Sequence, residues 1–96
     1  MKAHASVVEE DVPVIAPQFR LQWEPAQGAH VLLYPEGMVK LSDTAAEILK
    51  RVDGDATAGQ IVLKLEQAYP GADLRADVME FLNVALEQGW IRAQGR

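Results

Sequence analysis

The sequence predicts a small α+β domain in which a three-stranded antiparallel sheet precedes three helices. Its 96 residues suffice for one domain with one modest core. Short apolar segments separated by turn residues fill the first half, and capped segments with helical spacing fill the second. Because three short helices cannot bury one another, we expect them to pack on one face of the sheet.

The first two strands are predicted at residues 19–24 and 30–34. Phe19, Leu21 and Trp23 alternate with polar residues, which is typical of a half-buried strand. A turn containing proline and glycine follows. The second segment is almost continuously apolar, which predicts a central strand that is covered on both faces.

The third strand, residues 38–41, follows a Pro-Glu-Gly turn. We expect this strand at an edge of the sheet, because the chain then leaves the sheet for a helix. Residues 42–44 offer several possible N-caps for that helix, and Thr44 with Glu47 matches a capping box. Gly54 is the predicted stop.

Two further helices are predicted in the second half. Thr57 and Gln60 form another capping-box pattern, and a Pro-Gly pair ends the helix that follows. Asp73 is the predicted cap of the third helix, whose wide apolar stripe faces the core. Gly89 ends this helix, and the Trp-Ile pair after it is expected to fold back onto the core.

Residues 1–18 are predicted to form a flexible arm. Two prolines in this segment exclude a regular helix, and no apolar period is visible. Alternatively, Val12, Val14 and Ile15 dock on a neighbouring chain as an exchanged segment. The sequence therefore leaves two oligomeric states open, a monomer and an arm-exchanged homodimer.

Composition and charge argue against several classes of protein. The net charge of −5 leaves no concentrated basic face to neutralise phosphates, so no nucleic-acid partner is expected. The absence of cysteine excludes disulfides and thiolate metal sites. No apolar run approaches the ~20 residues of a membrane span, and the acidic N-terminal region is unlike a secretory signal. We therefore expect no membrane association and a cytoplasmic protein.

No set of residues predicts catalysis or a metal site. The two histidines, His4 and His30, have no second ligand at metal-site spacing. The carboxylates lie near helix N-termini and turns, where the helix dipole and solvent favour them. We therefore expect a protein that is not an enzyme, with no cofactor and no metal.

An ordered series of segments, residues 29–54, 60–61, 81–82 and 89–91, closely resembles the PqqD family of pyrroloquinoline quinone biosynthesis. The resemblance implies a winged-helix-like fold with the order βββααα, formed here by residues 19–93. It also implies a peptide chaperone without catalytic activity, of the recognition-element type used by ribosomal peptide-modifying systems. Such a chaperone binds the leader of the precursor peptide PqqA and presents it to the radical SAM enzyme PqqE.

The resemblance places the peptide at the third strand, where an extended ligand pairs with unpaired N–H and C=O groups as an extra strand. The third helix is expected to wall the groove beside it. The alternative for the apolar helix residues is ordinary core, and for the charged one an exposed surface. The predicted peptide-binding residues are Met38, Val39, Lys40 and Leu41 on the strand, and Asp77, Val78, Phe81, Leu82 and Ala85 on the helix.

A winged-helix DNA-binding regulator is the alternative function, because the second and third helices have the arrangement of a helix-turn-helix. Asp77, Glu80 and Glu87 on the third helix would meet phosphates with like charge. The charge distribution therefore favours the peptide-binding module.

Overall fold

The structure, a computed structural model, describes residues 6–94. His4, the first residues of the predicted arm and the last two residues of the chain lie outside this range. The α+β class and the three predicted helices are confirmed. The elements in chain order are β1 (Val12–Ile15), β2 (Arg20–Glu24), β3 (Ala29–Tyr34), β4 (Gly37–Lys40), α1 (Asp43–Leu49), α2 (Ala58–Ala68), α3 (Arg75–Glu87) and β5 (Ile91–Gln94).

Strands β2, β3 and β4 form the predicted antiparallel sheet, with β3 in the centre. Leu32, in the middle of β3, lies opposite Leu21 of β2 and Val39 of β4 on the inner face, which packs against the helices. Val31 points to the outer face, and both Val31 and Leu32 are fully buried. The prediction of a central strand covered on both faces is confirmed.

A second, two-stranded sheet pairs β1 with β5 and was not predicted. Val12 lies opposite Gln94 and Ile15 opposite Ile91 in an antiparallel register. Within its described part, the predicted flexible arm is therefore an ordered piece of the fold. The segment gains order because its edge hydrogen bonds are satisfied by a strand at the other end of the chain, and Val7 adds a buried side chain.

The N-terminal segment also closes the start of α2. The backbone N–H of Ala58 donates to the carbonyl of Asp11 at 2.8 Å, and that of Gly59 donates to the carbonyl of Glu9 at 3.0 Å. The first amides of a helix have no partner within the helix, so these carbonyls satisfy them. A Cβ added to Gly59 would lie 3.4 Å from the Cβ of Glu9, so glycine in this first turn permits the close approach.

Of the two capping boxes predicted from the sequence, the one at α2 is present and the one at α1 is not. The Thr57–Gln60 capping box is confirmed, since Oγ1 of Thr57 accepts from the Gln60 N–H at 3.1 Å and Oε1 of Gln60 accepts from the Thr57 N–H at 2.8 Å. At α1 the predicted box is wrong. Ser42, not Thr44, is the N-cap, and its Oγ accepts from the Ala45 N–H at 3.1 Å.

The start of α3 is also not the one predicted. Leu74 precedes the helix, no side chain caps it, and Asp73 has no capping role. The Leu74 N–H donates instead to Oε2 of Glu66 on α2 at 2.9 Å. A carboxylate from a neighbouring helix thus does what a local cap does elsewhere, a relation that spacing along the chain cannot reveal.

One core lies between the three-stranded sheet and the helices. Within residues 6–94, no helix is long and apolar enough to cross a membrane. Ile91, after the glycine that ends α3, is buried, so the expected return of the chain onto the core is confirmed. The core comprises Val7, Leu32, Leu41, Ala45, Ala46, Ile48, Leu49, Val52, Ala56, Ala58, Ile61, Val62, Leu65, Val78, Leu82, Ala85 and Ile91.

Candidate functional site

The outer edge of β4 is open. Across the residues that the structure describes, β4 pairs with β3 alone, so the prediction of an edge strand is confirmed. Opposed residues in an antiparallel ladder alternate between pairs that exchange hydrogen bonds and pairs that do not. The Leu41 N–H donates to the His30 carbonyl at 3.0 Å, so Leu41 forms a bonded pair, as does Val39 two residues earlier. The N–H and C=O groups of Met38 and Lys40 therefore point away from β3, towards the open edge.

The side chains of this edge alternate as the sequence predicts. Val39 is half-buried and Leu41 is 6% exposed, both on the inner face. Met38 is 43% exposed, and Lys40 is also exposed, both on the outer face. A strand added at this edge would thus meet apolar side chains on one face and a lysine on the other.

An apolar groove of about 600 Å³ begins at the N-terminus of α1, just after β4. Ile48, Leu65 and Val78 contribute apolar side chains to it from the three helices, and the exposed ring of Tyr69 lies at its rim. Carboxylates of α1 and α3 stand beside these residues. The complete lining is Asp43, Thr44, Glu47, Ile48, Leu65, Tyr69, Ala72, Leu74, Asp77 and Val78.

The predicted residues of α3 divide between groove and core. Asp77 is exposed and lines the groove, and Val78, only 2% exposed, touches its floor. Leu82 and Ala85 are both 0% exposed, so the structure gives them the core role that was the alternative. Phe81 is half-buried with its ring against that of Trp90, the centroids 6.4 Å apart. Leu82 and Ala85 are therefore core side chains that do not line this groove.

Glu47 is held in the charged state at the edge of the groove. Its carboxylate accepts hydrogen bonds from Nζ of Lys50 at 2.9 Å and from Nη1 of Arg51 at 3.0 Å. The bond from Lys50, followed by that from Arg51, holds the pKa of Glu47 below its ordinary value. This carboxylate is engaged by two residues that directly follow α1, whereas Asp43 and Asp77 form no ion pair within residues 6–94.

Sequence reasoning missed Tyr69, Ala72 and Leu74 as groove residues. Tyr69 fits the helical period of α2, but it is the residue after the last turn and is 47% exposed. Its position directly before a Pro-Gly pair is the signal for this exposure, since the helix ends there. Ala72 belongs to the connection to α3, for which the sequence has no period. Leu74 begins the apolar stripe predicted for the third helix, but it lies at the N-cap of α3 and lines the groove.

The described residues contain no group of three or more His, Cys, Asp and Glu side chains that could hold a metal ion. His30 instead packs edge-on against Trp23, with ring centroids 5.2 Å apart. Within the described residues, the fold and the site thus define a small α+β domain with an unpaired sheet edge at β4 and an apolar groove among its helices.

The comparisons with known proteins identify the family. Residues 29–91 match the model of "Coenzyme PQQ synthesis protein D (PqqD)". A protein of Azotobacter vinelandii named "PqqA binding protein" is 56% identical over 82 residues, covering 84% of this chain and 89% of its own length. The protein of that name from Stutzerimonas stutzeri is 53% identical, with 83% of this chain and 88% of the relative covered. The chain belongs to the PqqD family.

A solved structure agrees with this assignment. The solution NMR structure of the PqqD truncation of Methylobacterium extorquens PqqCD, described as a functional and stand-alone RiPP recognition element, superposes with a TM-score of 0.75. It is 33% identical, and the match covers 91% of this chain and 95% of that one. The architecture of residues 6–94 is therefore that of a known recognition domain.

Proposed function

We propose that this chain binds the PqqA precursor peptide by strand addition at β4 and presents it, without catalysis of its own, to the radical SAM enzyme PqqE. The names of the relatives from Azotobacter vinelandii and Stutzerimonas stutzeri support PqqA as the ligand. The order β2-β3-β4-α1-α2-α3 supports a winged-helix-like body. The encounter takes place in the cytoplasm, where a ribosomally made peptide is released.

The open edge of β4 is the observation that carries the proposal. Met38 and Lys40 each direct an N–H and a C=O outward, which gives an incoming strand four backbone groups to pair with. Such main-chain bonds supply affinity for an extended peptide whatever its sequence, while pockets for alternate side chains supply selectivity. The groove lined by residues of the three helices offers such a pocket for an apolar side chain of the ligand.

Substitution of Lys40 by proline tests the docking edge. Lys40→Pro removes an outward N–H, and it leaves the bonds to β3 in place because Lys40 does not bond to β3. Lys40→Ala is the matched control, since it removes the side chain and keeps the N–H. In calorimetric titrations with the PqqA peptide of Azotobacter vinelandii, we expect Lys40→Pro to weaken binding about tenfold or more, and Lys40→Ala to weaken it less.

An NMR titration of the same complex maps the site independently. We expect the amide signals of Met38 and Lys40 to shift most along the sheet, because they gain a hydrogen-bonding partner. Unchanged affinity in a folded Lys40→Pro variant, together with shifts confined to β2, would place the docking edge on the other side of the sheet.

The presentation step is tested with the enzyme. We expect PqqE, PqqA and this chain to sediment together, and Lys40→Pro to remove PqqA from the assembly while this chain still binds the enzyme. Loss of both partners in that variant would mean that the enzyme itself occupies the edge.

We also propose that the chain acts as a monomer, with β1 seated on its own β5. All four residues of β1 have partners within the same chain, so exchange with a neighbour would add no new strand pairing. Light scattering at increasing concentration checks this, and a concentration-independent dimer mass would contradict it.

A further inference from the structure

We infer that the bound peptide carries an acidic residue beside Lys40, between two apolar residues that lie on the inner face of the sheet. The inference rests on the proposed function and names the class of segment that the edge selects. Opposed residues of β2, β3 and β4 form rows across the sheet, and each row ends at β4. The inference follows from the side chains at these row ends, because a ligand strand would lie next to them.

The outer face ends in a lysine with no partner of opposite charge. Lys40 lies opposite Val31, which lies opposite Gln22, so this row contains one charge. Within residues 6–94 the ion pairs join Lys50 and Arg51 to Glu47 and Arg75 to Glu9, so Lys40 belongs to none of them. Its ammonium group is thus available to a ligand residue.

The neighbouring outer-face row does not compensate this charge. Arg20 lies opposite Leu33, which lies opposite Met38, so the charge in this row is also positive, although it lies on β2, at the far side of the sheet. Glu24 is on the same face but lies opposite Ala29, at the far end of β2. A ligand strand that adds to β4 therefore meets Lys40 as the charged side chain of β4 on the outer face, where a directly opposed acidic residue is favourable and a basic one is not.

On the inner face, the edge favours apolar ligand side chains instead of charged ones. Val39 ends the row of Leu21 and Leu32, and Leu41 ends the row of Trp23 and His30. Both rows end in an apolar side chain at the edge, and of the two Val39 is still half-exposed whereas Leu41 is buried. A ligand side chain beside Val39 gains by covering this surface, whereas a charge placed beside Val39 or Leu41 would lose hydration without a partner.

The alternation of side chains along the ligand strand combines the need for an acidic residue on the outer face with the need for apolar residues on the inner face. In a strand of either direction, successive side chains fall on opposite faces of the sheet. A residue on the outer face beside Lys40 is thus flanked by two residues on the inner face. The structure selects an extended segment with the pattern apolar, acidic, apolar.

A charge-exchange experiment tests the pairing. The probe is the PqqA peptide of Azotobacter vinelandii, together with variants in which each Asp or Glu is changed singly to Lys. We expect Lys40→Glu to weaken binding of the unchanged peptide about three- to tenfold. One Lys variant of the peptide should bind Lys40→Glu more tightly than it binds the unaltered protein. The effect should shrink as salt rises, because the pair is exposed.

Arg92→Glu is the matched control, because it makes the same change of charge at an exposed position on β5, in the other sheet. It should leave the affinity unchanged, and an equal loss there would assign the effect to net charge and overturn the inference. If Lys40→Pro abolishes binding but no peptide variant rescues Lys40→Glu, strand addition stands and the acidic pairing fails. If Lys40→Pro binds normally, the docking edge fails and the pairing fails with it.

Discussion

The backbone N–H of Val7 donates a 2.7 Å hydrogen bond to Oδ1 of Asn83, across a sequence separation of 76 residues. The bond fastens the N-terminal segment to α3, and the ion pair between Glu9 and Arg75 adds a second connection to the same helix. The helix predicted to border the peptide is therefore held from one side by a segment that precedes the sheet.

The Asn83 amide is expected to stabilise the fold through this bond. Asn83→Ala leaves the partly buried Val7 N–H without its acceptor and should lower the free energy of unfolding by about 1 kcal/mol. Asn83→Asp keeps an oxygen acceptor and should lose less. Urea unfolding followed by circular dichroism measures both variants, and equal losses would show that the bond contributes little.

Burial of Val7 distinguishes an ordered N-terminal segment from a loose arm. Val7 is 4% exposed and its neighbour Val8 is 37% exposed. Val7→Ala should lower the free energy of unfolding by about 1.5 kcal/mol, because two buried methyl equivalents are lost. Val8→Ala is the control and should change it by less than about 0.5 kcal/mol. Similar small effects at both positions would restore the prediction of a flexible arm.

Substitutions of Leu82 and Met38 should have different effects, the first on the stability of the fold and the second on the binding of the peptide. Leu82 is 0% exposed in the core, so Leu82→Ala should lower the free energy of unfolding by about 2 to 5 kcal/mol. Met38 is 43% exposed at the open edge, so Met38→Ala should leave stability nearly unchanged and weaken peptide binding. Thermal unfolding and calorimetric titration of both variants measure the contrast. Strong destabilisation by Met38→Ala would mean that the edge is already covered.

Glu47 should make stability depend on pH. Its pKa is lowered in the folded protein from the ordinary value of 4.5, by the hydrogen bonds from Lys50 and Arg51. A lowered pKa means that its contribution is present above the unfolded-state pKa and is lost as pH falls through the folded-state pKa. The stability difference between the unaltered protein and Glu47→Gln should therefore shrink on acidification below about pH 4.5.

Urea unfolding between pH 7 and pH 3 measures this difference. Glu36→Gln is the control, since Glu36 is exposed in the turn between β3 and β4 and joins no ion pair in the described range. A pH dependence that is the same for both variants would assign the acid sensitivity to net charge.

The sequence by itself determined the features that depend on neighbouring residues. Alternation of Phe19, Leu21 and Trp23 defined the inner face, the departure of the chain after Leu41 made β4 an edge, and Thr57 with Gln60 fixed the start of α2. Each depends on a spacing of a few residues, and backbone geometry converts such a spacing directly into a face or a cap.

Only the tertiary structure decided which surfaces are covered. The pairing of Val12 with Gln94, the bond from Val7 to Asn83 and the carbonyl of Asp11 at the start of α2 join positions far apart in the chain. An apolar period shows that Leu82 faces inward, but not whether core or groove lies there. What lies opposite a side chain is set by chain closure over many residues, which no local spacing encodes.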